Sequence, residues 1–361
     1  MTLSSTSSTV QAIFALHTAT AGLALLMLIT AGLVFLKQLK SGTARLGGWK
    51  RVSRNAGGPR HSSLGTQFWL MSGLFNLMVA YAAQAAIVAL QTRISSPFSI
   101  TSMYSYPSYG ANSITGANYG KDISILSFLY QFASILVNVS IVGAIWMHAN
   151  HLECNATGMK APGIISWIWN QFWILAMLGL GFASWGLAFT RRGSGDSALY
   201  FLSILSSSYI TRTIFATYVA VTVAASFFVT IEAVLCLTGV KKNGLTSTGS
   251  STKKILGFFA FTVLPVVWVR NAFYIAQIVI LYYNVNNWSR TTNQALAFLF
   301  IIFGELSNLA ILGLVLLGAM GFGKTVRDRP TNFGRHSRGA RASSVSRYTG
   351  DDASVKSEVL V

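Results

Sequence analysis

Seven stretches of this chain are too long and too uniformly apolar to be the half-wet helices of a soluble protein. They run at about 10–36, 66–90, 123–147, 164–189, 213–237, 255–282 and 295–320. An α-helix rises 1.5 Å per residue, so crossing a bilayer's hydrocarbon core takes ~20 mostly apolar residues. Each window meets that length, and none carries the polar face that a surface helix of a globular domain requires. Apolar types make up 52% of the residues and charged types 10%, where a soluble domain carries about a quarter charged. The chain is therefore expected to be an all-α, polytopic bundle of seven transmembrane helices over residues 1–320. A disordered, basic tail is expected over residues 321–361, where large apolar residues are few. The fifth span has an ambiguous start: apolar character begins at Ala198 and is interrupted by Arg212. Residues 198–210 read either as an interfacial helix or as an early beginning of that span.

Charge sets the threading. The residues before the first window contain no Lys or Arg, unlike the basic start of a signal peptide, so this window reads as a retained first span. The first loop then carries Lys37, Lys40, Arg45, Lys50, Arg51, Arg54 and Arg60. The fifth loop carries Lys241, Lys242, Lys253 and Lys254, and the tail is basic from Lys324 to Lys356. With an outside N-terminus, twenty basic residues fall inside and five outside. Basic residues accumulate on the cytoplasmic side, so the expected topology is N-terminus outside and C-terminus cytoplasmic. Most of the net +18 then faces the anionic cytoplasmic leaflet of the lipid bilayer, at about 1 kcal/mol per basic residue near the surface. Nucleic acid is not an expected partner, because the basic residues are split among loops and no nucleic-acid-binding motif accompanies them. The sequon Asn287-Trp288-Ser289 falls on the outer side in this threading.

Two segments outside the spans carry possible contacts. The second loop, residues 91–122, holds Tyr104, Tyr106, Tyr109 and Tyr119 among Ser, Gly and Asn. It reads as a solvated outer loop or as an adaptable contact surface. In the tail, Ser343, Ser344 and Ser346 lie among Arg338, Arg341 and Arg347, a pattern suited to kinases that prefer upstream arginine. Phosphate there would cancel basic charge and loosen the tail from lipid, an electrostatic switch. A tail that simply rests on the lipid surface is the other reading.

Ionisable residues inside spans are costly, at least ~2.5–3.5 kcal/mol each on insertion scales. Arg270 lies about 18 Å below the outer end of the sixth span and Glu305 about 15 Å below that of the seventh. Equal depth on consecutive spans predicts a buried Arg270–Glu305 pair, either a structural lock or linked to a ligand. Pro265, one turn before Arg270, removes a backbone donor and is expected to kink the sixth helix. Glu232 is expected to snorkel to the inner surface. Asn76, Gln84, Gln131, Asn138, Asn271, Gln277 and Asn308 add interhelical hydrogen-bonding capacity, and Gly179 with Ala183 reads as a small-residue contact stripe.

No catalytic constellation is visible, and no enzyme activity or cofactor is expected. Residues 318–325 match the letters of a phosphate-binding loop, G-x4-G-K-T. That chemistry needs a loop between a buried strand and a helix, whereas these glycines are expected to end a membrane helix. His148, His151 and Cys154 cluster at the inner end of the third span, but one short interfacial cluster does not predict a metal site. No span carries a lysine for a retinal Schiff base, nor the several His and Asp that a seven-span zinc hydrolase needs.

At the level of topology the chain resembles a G-protein-coupled receptor. It departs where Trp146-Met147-His148-Ala149-Asn150 stands in place of Asp-Arg-Tyr, and Glu305-Leu306-Ser307-Asn308 in place of Asn-Pro-x-x-Tyr. In Leu264-Pro265, Val269-Arg270 and Tyr274 of the sixth span it resembles uncharacterised seven-span, receptor-like proteins of filamentous fungi. The resemblance implies an orphan receptor or sensor, with a ligand reached from outside and a cytoplasmic signalling partner; the plasma membrane is the default expectation for its location. A small-solute transporter and a non-catalytic membrane organiser or chaperone are the alternatives. No internal repeat favours the transporter, and Pro265 is the one expected interruption of a span.

Overall fold

The computed structural model describes residues 8–40, 64–94, 114–157, 164–190, 209–242, 249–283 and 298–327. Among them all regular structure is helical. The elements are α1 (Ser8–Lys40), α2 (Leu64–Ile94), α3 (Ile114–Thr157), α4 (Ile164–Thr190), α5 (Tyr209–Lys242) and α6 (Gly249–Tyr283). A π-helical segment, Phe300–Leu306, leads into α7 (Ser307–Arg327). Seven helices are long and apolar enough to cross a membrane. The chain is a multi-pass integral membrane protein with an all-α fold.

The helices overrun the apolar windows. α3 has 44 residues, about 66 Å at helical rise, roughly twice the thickness of the hydrocarbon core. Its first turns take in residues 114–122, which the sequence reading assigned to a loop. α7 continues through Arg327, so the G-x4-G-K-T segment at 318–325 is helix from end to end. A helix interior has its N–H groups bonded within itself and cannot cradle a phosphate. α6 is continuous through Pro265, which lies on its exposed side.

The outward faces are as apolar as the interior. Ile165 is 85% exposed and Phe261 81%, which only a hydrocarbon surround makes inexpensive. With no hydrophobic force between helices in lipid, cohesion comes from close packing and interhelical hydrogen bonds. α3 is the centre of that packing, lying against α2, α4, α5 and α6. From Val137 to Trp146 every residue is buried, so the helix is enclosed on all sides. Small residues permit this. A Cβ at Gly143 would sit 2.6 Å from the Trp69 ring, and one at Gly73 would sit 3.1 Å from both Ser140 and Leu312. Gly73 is therefore where α2, α3 and α7 converge.

Aromatic side chains close the other seams. Trp185 of α4 stacks on Phe128 of α3 at 4.1 Å between centroids, and its indole N–H donates to the Phe128 carbonyl at 3.2 Å. Trp173 of α4 stacks on Phe228 of α5 at 5.1 Å. The expected stripe of Gly179 and Ala183 does not make the contact. Gly179 has nothing within 4 Å of a Cβ position and Ala183 is exposed. Gly181 serves instead, with Ile135 at 2.7 Å and Tyr218 at 3.2 Å. The helix is rotated relative to the expectation because two of its aromatics, Trp173 and Trp185, turn toward α5 and α3.

Gly143→Ala forces a methyl group into the Trp69 ring. It is expected to destabilise the bundle by about 1–3 kcal/mol, the usual cost of overpacking, in thermal unfolding of the detergent-solubilised protein. Trp69→Phe in the same chain should recover part of the loss. A neutral Gly143→Ala would mean that α2 and α3 are not packed this closely.

Candidate functional site

The most polar part of the interior lies toward the end of the bundle where α1 begins. α6 contributes Arg270, whose side chain is fully buried. Its Nη2 donates to Oδ1 of Asn138 on α3. Asn138 Nδ2 in turn donates to the Tyr218 hydroxyl of α5 at 3.0 Å. One turn further along α6, the Tyr274 ring lies 4.9 Å from the guanidinium carbon, within the range of a cation–π contact. Arg270 thus has one hydrogen-bonded nitrogen and one aromatic neighbour. Its Nε and Nη1 have no hydrogen-bond partner.

The π segment brings in the opposite charge. A π turn holds more residues than an α turn and shifts everything after it around the axis; such turns recur at functional sites. Here Ile301, Gly304 and Glu305 are its buried residues. Gly304 faces Tyr274, whose ring would lie 3.8 Å from a Cβ there, an ordinary packing distance. Tyr130 of α3 donates its hydroxyl to Glu305 Oε1 at 3.3 Å. Glu305 Oε2 lies 3.1 Å from Nδ1 of His17 on α1, an ion-pair distance without the alignment of a hydrogen bond. Tyr81 of α2 completes the layer. It is 1% exposed, and its ring centroid is 6.4 Å from that of His17. The Tyr81 hydroxyl has no hydrogen-bond partner.

Apolar material bounds this layer on both sides. The main core takes up α1 from Ala24, α3 from Val137 and α7 from Leu309. On the other side Val10, Ile13, Val88 and Ile301 form a separate apolar cluster, with Phe14, Leu16 and Phe298 against it. Two charges are therefore held away from water in a medium where each ion costs several kcal/mol to bury, to order of magnitude, unless well compensated.

Arg270 and Glu305 share this layer, as their depths imply, but do not bond to each other. Glu305 is held by His17 and Tyr130, and Arg270 by Asn138 and Tyr274. Depth fixes the layer, whereas direction depends on helix rotation, and the π segment alters that rotation. His17, Tyr81, Tyr130 and Tyr218 are the members that sequence reasoning missed. Tyrosines were counted as apolar, yet several at similar depth in different spans are a signal of a polar layer. Of the amides, Asn138 does bridge helices. Asn76 bonds within its own helix, to the Ser72 carbonyl at 2.8 Å.

A second group of polar residues lies toward the opposite end. Glu232 of α5 accepts from Ser166 and, at 2.5 Å, from Asn170, both on α4. It joins two helices where the sequence suggested a snorkelling side chain. Cys236 donates its thiol to Glu153 at 3.1 Å. His148 is buried, 5.0 Å from the Phe259 ring, with Gly318 against its Nε2. Among the described residues no group of three His, Cys, Asp or Glu is placed to hold a metal ion. The Cys154 and Gln277 side chains and Ser343, Ser344 and Ser346 lie outside the described residues.

Asn138→Leu removes partners from both Arg270 and Tyr218 and leaves a buried charge less compensated. A loss of about 1.5–3 kcal/mol is expected, against a smaller loss for Asn76→Leu, whose bond is local; chemical unfolding in mixed micelles measures both. Exchanging the charges, Arg270→Glu with Glu305→Arg, is expected not to restore stability, because the two residues do not bond to each other and the Tyr274 ring face would then meet an anion.

Compared with protein-family models, with curated proteins and with solved structures, the chain matches none. What the geometry itself establishes is a seven-helix integral membrane protein with a buried polar layer around Arg270 and Glu305 near one end.

Proposed function

We propose that the protein is a receptor or sensor of the plasma membrane, akin to the fungal seven-span proteins it resembles, in which the polar layer is the ligand-linked element. The supporting observation is the buried Arg270, tied to α3 through one amide while two of its nitrogens have no hydrogen-bond partner. Intramembrane ionisable groups that face a bundle interior mark ligand sites, ion paths or relays. This one bonds α3 directly, is linked to α5 through Asn138, and shares a layer with groups from α1, α2 and α7. A ligand that engages the two remaining nitrogens pulls on the same guanidinium that Asn138 holds and so changes how α6 sits against α3. Both helices run the full thickness of the bundle, so a change at one end is carried to the other by rigid elements.

The proposed threading places the layer toward the outside and the basic first loop and tail in the cytosol. A protease added to intact cells should then remove an epitope fused to the amino end and spare one on the carboxyl end. Crosslinking in native membranes is expected to capture a cytosolic signalling partner whose yield changes in Asn138→Leu. Capture that does not depend on the layer would contradict the sensor reading. Solute flux into proteoliposomes that requires Glu305 would replace it with a carrier.

A further inference from the structure

We propose that the polar layer binds the carboxylate of a small amphipathic acid, with Arg270 as the anchor and the adjoining apolar cluster as the seat of the hydrocarbon body. The inference rests on the sensor reading and names its ligand class.

Four observations converge on it. Arg270 is 0% exposed, and its Nε and Nη1 have no hydrogen-bond partner. Guanidinium groups bind carboxylates through charge-assisted hydrogen bonds, the strong kind. The Tyr81 hydroxyl, also buried and without a partner, belongs to the same layer, its ring 6.4 Å from that of His17, and supplies a neutral donor to the same anion. Glu305 is already engaged by Tyr130 and His17, so it does not neutralise Arg270 by contact. Its negative charge in the same layer selects for a singly charged anion over a phosphate dianion, since like charges in a medium of low dielectric repel strongly. An amine, by contrast, would approach Glu305 in the company of Arg270 and His17.

The body of the ligand follows from what borders the layer. Val10, Ile13, Val88 and Ile301, with Phe14, Leu16 and Phe298, form the apolar cluster on the α1-start side. Ile13 and Ile301 each precede a charged-layer residue, His17 and Glu305, by four positions, about 6 Å along the helix. A hydrocarbon chain can replace contacts within that cluster, whereas a wholly polar ligand would have to break it without compensation. Such an acid reaches the layer either from water or, as a free fatty acid, from the bilayer.

The test uses the full chain in phosphatidylcholine nanodiscs, with thermal unfolding followed by tryptophan fluorescence. Butyrate, octanoate and laurate are added from water, and oleate is incorporated in the disc; the matched amides and amines are controls. Acids are expected to raise the unfolding temperature and amides are not. A shift with acids added from water assigns a soluble source, and a shift with oleate alone assigns a lipid source. Arg270→Gln should weaken the apparent affinity roughly ten- to a hundredfold and Tyr81→Phe roughly fivefold. Tyr81→Phe keeps the ring and its packing, so it decides the matter should Arg270→Gln fail to fold. Undiminished acid binding by Tyr81→Phe would overturn the assignment of the acid to this layer, and equal shifts from amides or no shift from any acid would overturn the ligand class. A response to amines in place of acids would do the same while leaving the sensing role of the layer standing.

Discussion

A guanidinium ion held away from water sets the terms for the rest of this bundle. Arg270 cannot shed its charge, and its long side chain, fully enclosed, does not reach a wet surface. Burial of an unpaired ion costs more than any single contact in the molecule returns. The surrounding helices are arranged around that constraint: an amide from α3, an aromatic face from α6 itself and, in the same layer, a carboxylate from the π segment ahead of α7. The Asn138 amide is the hinge of the arrangement, because it accepts from Arg270 on one side and donates to Tyr218 on the other. Three helices thereby share one hydrogen-bonded chain. In lipid, where apolar surfaces gain nothing by meeting each other, such chains and close steric fit are what distinguish one packing from another.

The distribution of polarity along the bundle follows the same logic. Polar groups gather in two zones, one around Arg270 and Glu305 and one around Glu232 and Glu153, with a dry core between them. α3 runs through both zones and the core, and its run of buried residues leaves no face for lipid. That continuity makes α3 the natural carrier of any adjustment from one zone to the other. The glycines at 73 and 143 bring neighbouring helices close enough for their side chains to interlock, so displacement of α3 is felt by α2 and α7 without slack.

The sequence was informative in proportion to how directly each feature depends on composition. Seven spans were legible because crossing hydrocarbon demands length and apolarity, and both are visible in a window average. The depth of Arg270 and Glu305 was legible for a similar reason, since rise per residue is constant. Their partners were not, because direction around a helix accumulates at about 100° per residue. The π segment at Phe300–Leu306 adds a residue to the turn and redirects Glu305 toward α1 and α3. Nothing in the letters FIIFGEL announces that turn. Gly181 was passed over in favour of Gly179 for the same want of rotational information. The tyrosines were missed for another reason: a residue that is both apolar ring and hydroxyl is scored by its ring when spans are sought, and by its hydroxyl only when partners are known.

The central claim is that Arg270 is held by Asn138 and not by Glu305. Two double-mutant cycles in the same micelles test it directly, one pairing Arg270→Met with Asn138→Leu and the other pairing Arg270→Met with Glu305→Leu. Residues in contact couple by roughly 0.5–3 kcal/mol, and independent ones add to within about 0.5 kcal/mol. The account predicts the larger coupling for the Asn138 cycle. A larger coupling in the Glu305 cycle, with Arg270 and Asn138 additive, would contradict it.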